Sequence, residues 1–153
     1  MQAHFNQWHR EMVQRKIIRR ATPDEINRYT PVHHIPILKR GAKQPLTPTS
    51  YRWAVDSSKV NDVIETPVDF TLPSLLDVRD FCDGRSIFST LDVAQFFPSI
   101  PSFDDCHLHE CEGEWYVYNV VVQGSKTASA AAHHVMESLL GDLVRSCRRP
   151  GVR

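Results

Sequence analysis

No uninterrupted apolar run in this 153-residue chain approaches the ~20 residues that a membrane-spanning helix needs. The opening residues, Met1-Gln2-Ala3-His4-Phe5-Asn6-Gln7, lack the apolar core of a secretory leader. Cysteine is sparse: Cys82, Cys106, Cys111 and Cys147 do not make a disulfide-held scaffold in a chain this long. Internal repeats and low-complexity tracts are missing, and so is net charge, because 18 Lys+Arg balance 18 Asp+Glu. These absences exclude a membrane span, a small disulfide-rich secreted module and a repeat array. They leave an intracellular, cytoplasmic or nuclear, protein of ordinary globular composition, 41% hydrophobic and 24% charged. The length suits one domain or part of one, burying roughly 68–70% of its unfolded-chain surface.

The balance of charge hides a segregation. Residues 1–52 hold ten Lys/Arg against three Asp/Glu, residues 53–115 three against thirteen, and residues 116–153 five against two. A basic arm beside an acidic middle suits a phosphate-binding surface next to a cation-binding one. It suits equally well two solvated faces that neutralise each other.

Phe5, Trp8, Met12, Val13 and Ile17 recur every three to four residues, which predicts an amphipathic helix over 5–20. Thr22-Pro23-Asp24-Glu25 is a helix start, with a capping Thr, Pro at the first position and acids in the first turn; Thr30-Pro31 ends that helix early. Val32–Lys39 and Tyr51–Asp56 read as strands of a hairpin with a long basic tip. Leu72-Pro73-Ser74 opens a helix with Leu75, Leu76, Val78 and Phe81 facing inward, closed at Cys82-Asp83-Gly84-Arg85. Ser86–Asp92 alternates and predicts a strand, as do 106–110 and 115–122 around the turn Glu112-Gly113-Glu114. Lys126–Cys147 predicts a long helix that buries Ala130, Val135, Leu139, Leu140 and Leu143. The order of elements gives a mixed α+β domain.

Three stretches place reactive groups where chemistry needs them. Asp92, at the end of a predicted apolar strand and followed by Phe96-Phe97-Pro98, needs a cation, hydrogen bonds or open water; a cap on the next turn is the plain alternative. Val122-Gln123-Gly124-Ser125 turns a strand into a helix whose free N–H groups suit an anion or a nucleotide, or simply a capped turn. Arg52, with Lys39, Arg40 and Lys43 on the hairpin, suits a triphosphate, since Arg binds phosphate bidentately; exposed hairpin charges are the alternative.

Taken together, these stretches match a family in order and spacing. Arg15-Lys16-Ile17-Ile18-Arg19 with His34–Arg40, Arg52-Trp53-Ala54-Val55-Asp56 with Asn61, Leu72-Pro73-Ser74-Leu75-Leu76-Asp77, Phe88-Ser89-Thr90-Leu91-Asp92 and Gln123-Gly124 follow one another as in the fingers and palm of retroelement reverse transcriptases. Residues 10–145 resemble that family, and Phe96-Phe97-Pro98-Ser99-Ile100 resembles the retron-like branch. The resemblance implies a right-hand polymerase fragment with antiparallel strands packed on helices, 1–85 being fingers and N-terminal helix and 86–153 partial palm. It implies an RNA-directed DNA polymerase that adds deoxynucleotides to a primer 3′-hydroxyl on an RNA or DNA template, by two-Mg²⁺ phosphoryl transfer. Asp92 then binds both ions and the Val93 carbonyl assists one of them. Phe97 excludes a 2′-hydroxyl, and Lys39 or Arg40 joins Arg52 on the triphosphate. Gln123 and Gly124 line the nucleotide pocket.

Departures accompany the match. Ser58 stands where the family usually has Arg, Val122 where it has Pro before Gln-Gly, and Ala128-Ser129 where it has Ser-Pro. The Tyr-x-Asp-Asp hairpin, which carries the other two catalytic carboxylates, falls beyond Arg153 by family spacing, as do the thumb and any ribonuclease H region. The expectation is a chain that does not polymerise alone.

Two readings from other classes compete. Cys106-His107-Leu108-His109-Glu110-Cys111 packs four zinc-type ligands into six residues, although a strand sends alternate side chains to opposite faces and no second distant pair accompanies them. A non-catalytic nucleic-acid-binding fragment would use the basic arm, including Arg19 and Arg20, with Trp8, Tyr29, Tyr51 and Trp53 as stacking surfaces.

Overall fold

Helix α1 (Gln2–Gln14) buries His9 and Met12 and stops well short of Arg20. In this computed structural model, which describes residues 1–65, 71, 73–102 and 107–146 (side chains to 142), Lys16 takes the left-handed conformation at φ 58°. The N–H of Ile17 then bonds the carbonyl of Met12 at 3.0 Å and that of Lys16 the carbonyl of Val13 at 2.9 Å. These two bonds close the helix in the manner usually left to glycine. The expected helix over 5–20 therefore yields its last turn to strand β1 (Ile18–Arg20), which puts Ile17 and Ile18 in the core.

Helix α2 (Pro23–Arg28) starts as the sequence predicts. Thr22 accepts from the Glu25 N–H while the Glu25 carboxylate accepts from the Thr22 N–H, a reciprocal cap. Strand β2 (Thr30–Pro31) follows, then the hairpin β3 (His33–Leu38) and β4 (Tyr51–Asp56), antiparallel from His33↔Asp56 to Leu38↔Tyr51. Helices α3 (Ser58–Val63), α4 (Leu75–Cys82) and α5 (Phe96–Ser99) come next, then β5 (His107–Cys111), β6 (Glu114–Tyr118) and α6 (Ala128–Ser146).

Two sheets result. β1-β6-β5-β2 form four strands, with β2 parallel to β5 and the other pairs antiparallel; β3-β4 form the second sheet. Glu112 and Gly113, at φ 53° and 80°, make the two-residue turn between β5 and β6 that matches strand twist. Past β6, Val121 packs against Ile100, Ala128 and Ala132, while Val122 joins Met12, Ile17, Ile18 and Tyr118. Consecutive valines thus serve two core clusters. The architecture is mixed α+β. Among the described residues no helix is long and apolar enough to cross a membrane.

Three expectations need correction. α4 has its predicted start, with Ser74 and Asp77 capping each other, but its apolar side chains face outward: Leu75 is 88% exposed and Leu76 60%, with Val78 and Phe81 also exposed. Leu72 lies outside the described residues. Ser86–Asp92 forms no strand, and Ile87 and Leu91 are 87% and 76% exposed. Alternation makes a segment competent to pair, but its N–H and C=O groups need a neighbour, and none lies beside it among the described residues. In α6 the buried residues are Ala128 and Ala132, with Ala131 and Val135 beside them, while Leu139 is exposed. The helix approaches through its small residues, at its N-terminal end. The side chain of Leu143 and all of Cys147 lie outside the described residues.

Candidate functional site

Strand β4 alternates. Tyr51, Trp53 and Val55 face α1, where Trp53 meets Phe5 at 5.1 Å and Val55 packs on the Met12 cluster. Arg52 projects from the opposite face, exposed, with its Nη2 donating to the Gln123 Oε1 at 3.4 Å. At the strand's end the Asp56 carboxylate accepts from the N–H and hydroxyl of Ser58, at 3.0 and 2.6 Å. Those two bonds hold the Asp56 carboxyl below its ordinary range and start α3. Ser58 therefore has a local structural task.

Helix α3 aims Asn61 at the turn after residue 122. Its Nδ2 donates to the Gly124 carbonyl at 2.9 Å, and its Oδ1 accepts from the Lys126 N–H at 2.7 Å. The Lys126 ammonium reaches back to the Ile64 carbonyl at 3.1 Å. Gly124 sits at φ +101°, where L side chains are rare, although a Cβ there would meet nothing nearer than 3.8 Å. Backbone conformation, not crowding, calls for glycine at this point.

Beside this clamp lies a cleft of about 620 Å³ between α1, β4 and the 120–124 segment. Among the described residues its charged walls are Arg15, Lys39 and Arg52, with Glu11 as the acid. Three cations against one carboxylate favour an anionic ligand, and guanidinium groups suit phosphate. Of the residues singled out in the sequence, Lys39, Arg52, Gln123 and Gly124 come together here. Arg40 is exposed and outside the lining; Phe97 packs with Phe96 on the Ile100 cluster. Asp92 and Val93 lie in the exposed irregular segment before α5, although Gln95 and Pro98 of the same stretch reach the cleft. Arg15 and Gln95 join them without having been singled out for a site: Arg15 stands in the Arg15-Lys16-Ile17-Ile18-Arg19 run, to which the sequence assigns no ligand role, and Gln95 carries no pattern of its own.

Asp92 offers one carboxylate and Val93 one carbonyl, and among the described residues no three His, Cys, Asp or Glu side chains are placed to hold a metal ion. The residues described do not complete a two-Mg²⁺ site, so no catalytic step follows through one. The zinc-type stretch divides among separate partners. His107 Nε2 lies 3.0 Å from the Ser57 hydroxyl and His109 Nε2 3.2 Å from His9; Cys111 is buried, its thiol pushed up by burial, and Cys106 is outside the described residues. His33 is exposed, and His34 is partly buried on the Tyr118 hydroxyl.

The basic arm is partly spent on internal pairs. Arg19 grips both Glu25 oxygens, at 2.9 and 2.7 Å, and holds that carboxyl down at about 2; Arg20 lies 3.4 Å from Glu114. Trp8 and Trp53 are packed on each other and on Phe5, so they are walls rather than free stacking platforms. No family model matches the chain, and no curated protein matches it.

Proposed function

We propose that this chain is the fingers and N-terminal palm portion of a retroelement reverse transcriptase, with 1–85 contributing the fingers and 86–153 part of a right-hand palm. One observation carries the reading. Arg52 and Asn61, from one matching stretch, meet Gln123, Gly124 and Lys126, from another, beside a cleft lined by Arg15, Lys39 and Arg52. Residues some 60 to 70 apart in sequence converge as they would around the phosphates of an incoming deoxynucleotide or a template–primer. Arg52 and Lys39 bind phosphate, and the Gln123-Gly124 turn lines the base and sugar side. Asp92 serves as a metal-binding carboxylate once further carboxylates and Mg²⁺ join it. The chain by itself binds without polymerising.

The test is primer extension with Mg²⁺. The 153-residue chain incorporates nothing; a polypeptide that continues through an aromatic-x-Asp-Asp hairpin incorporates deoxynucleotides, and Asp92→Ala abolishes this. Extension that survives Asp92→Ala sinks the assignment. The position of Asp92 outside the cleft favours a second reading, nucleic-acid binding without chemistry. In that case the longer polypeptide binds a template–primer with a steep salt dependence and extends nothing.

A further inference from the structure

Three imidazoles from three elements meet where α1 and the β3–β4 hairpin rest on the four-stranded sheet. His9 of α1 and His109 of β5 face each other, Nε2 to Nε2, at 3.2 Å. The His34 ring of β3 stands nearly perpendicular to that of His109, centroids 4.7 Å apart, and its Nε2 lies 2.6 Å from the Tyr118 hydroxyl. Tyr116 stands edge-on to His9 at 4.4 Å, and Phe5 and Trp8 enclose His34. His109 is 1% exposed and its Nδ1 has no partner. An Nε2–Nε2 hydrogen bond needs one ring nitrogen with a hydrogen and one without, so this contact requires that His9 and His109 not both be charged.

Charged groups around the trio are unevenly placed. Glu112, on the β5–β6 turn, and Arg10 act on His9; His33 acts on His34; His109 faces only the other two imidazoles and the rings of Tyr116 and Tyr118. Among the described residues no carboxylate stands between the three rings to absorb added charge.

We propose that His9, His34 and His109 form a proton-operated latch, which holds α1 and the β3–β4 hairpin on the sheet and so sets the width of the cleft. The first proton goes to His9, where Glu112 favours the charged form, and the His9–His109 contact survives with His9 as donor. A second proton adds a like charge inside a shell of aromatic rings: on His109 its ring centroid lies 5.3 Å from that of His9, and on His34 it faces the charge on His9 and stands 4.7 Å from His109. The arrangement then opens as a unit. Burial keeps the rings neutral at pH 7, pushing His34 to about 4 and His109 to about 2, so opening falls well below histidine's ordinary range. The latch is independent of whether the cleft serves a polymerase.

Near-UV circular dichroism and acrylamide quenching of tryptophan emission, followed on the full chain from pH 7.5 to 2, test this. Trp8 lies 5.2 Å from His34 and 6.0 Å from Trp53, so both report on the latch. The expected result is loss of near-UV signal and rising quenching, with a slope steeper than one proton, while far-UV signal persists. His109→Phe, which keeps an aromatic ring against Tyr116 and Tyr118, moves the transition at least one pH unit lower; His134→Gln, at an exposed position of α6, leaves it in place. If His109→Phe does not fold, ring ¹⁵N shifts of the wild-type chain decide. Cooperative titration of the three rings together with the tryptophan signals supports the latch. Independent titration near 6.5, or tryptophan signals that change only with far-UV loss, overturns it.

Discussion

Arg15 Nη2 donates to Gln95 Oε1 at 2.6 Å, joining the end of α1 to the residue three places after Asp92. Gln95 is itself left-handed, at φ 53°, and opens α5. This contact holds the irregular stretch that carries Asp92 to the wall of the cleft. Both side chains are exposed, so Arg15→Ala should cost under about 1 kcal/mol of global stability. Its larger effect should be local: amide exchange from Ala94 to Phe97 should quicken while exchange in β5 and β6 stays the same. Unchanged exchange at Ala94–Phe97 would show that the contact restrains nothing.

Asn61 fixes the Gly124 turn with a donor and an acceptor, and its variants should separate the two. Asn61→Ala loses both bonds and should destabilise by about 1–2 kcal/mol in urea unfolding. Asn61→Asp keeps an acceptor for the Lys126 N–H and loses the donor to Gly124, so it should fall between wild type and Asn61→Ala. Phosphate or nucleotide binding in the cleft should weaken in the same order, because Gln123 moves with the turn.

Lys16 is an exposed side chain held at positive φ. Lys16→Gly removes a steric cost of roughly 1 kcal/mol, partly offset by the greater freedom of glycine in the unfolded chain. The net change should be a small rise in melting temperature. A fall would mean that the lysine stem makes contacts worth more than the strain.

Acid should weaken the fold in two windows. His107, pushed down to about 4 by burial, takes up a proton in the unfolded chain near 6.5 but in the folded one only near 4. The unfolded state binds more protons between those values, so this contribution is complete above 6.5 and is lost as pH falls towards 4. Glu25, lowered from 4.5 to about 2 by Arg19, behaves likewise: its contribution is present above 4.5 and lost as pH falls through 2. Urea midpoints should therefore decline from pH 7 to 4 and again below 4.5. Arg19→Ala should flatten the lower window alone.

Local signals in the sequence were reliable where the chain within a few residues decides the outcome. The reciprocal caps at Thr22 and Ser74, the strand Tyr51–Asp56 and the turn at Glu112-Gly113 are all of this kind. The end of α1 was illegible because a lysine, not a glycine, occupies the left-handed position. The inward face of α4 and the strand over Ser86–Asp92 misled for another reason: periodicity states which residues would be buried together, not what would cover them. For the site, Arg52, Lys39, Gln123 and Gly124 were legible as a group, whereas Arg15 joins them only through the packing of α1 on the hairpin.

The uncovered apolar side chains from Leu75 to Leu91 also govern how the protein must be handled. With a calculated isoelectric point near 7.1, molecules at neutral pH carry almost no net charge to keep them apart. Ser86–Leu91 has no charged residue and alternates like a strand, so crowded molecules will adhere through this stretch. Storage somewhat above neutral pH, at low concentration and with Ile87 or Leu91 replaced by glutamate, should delay clouding.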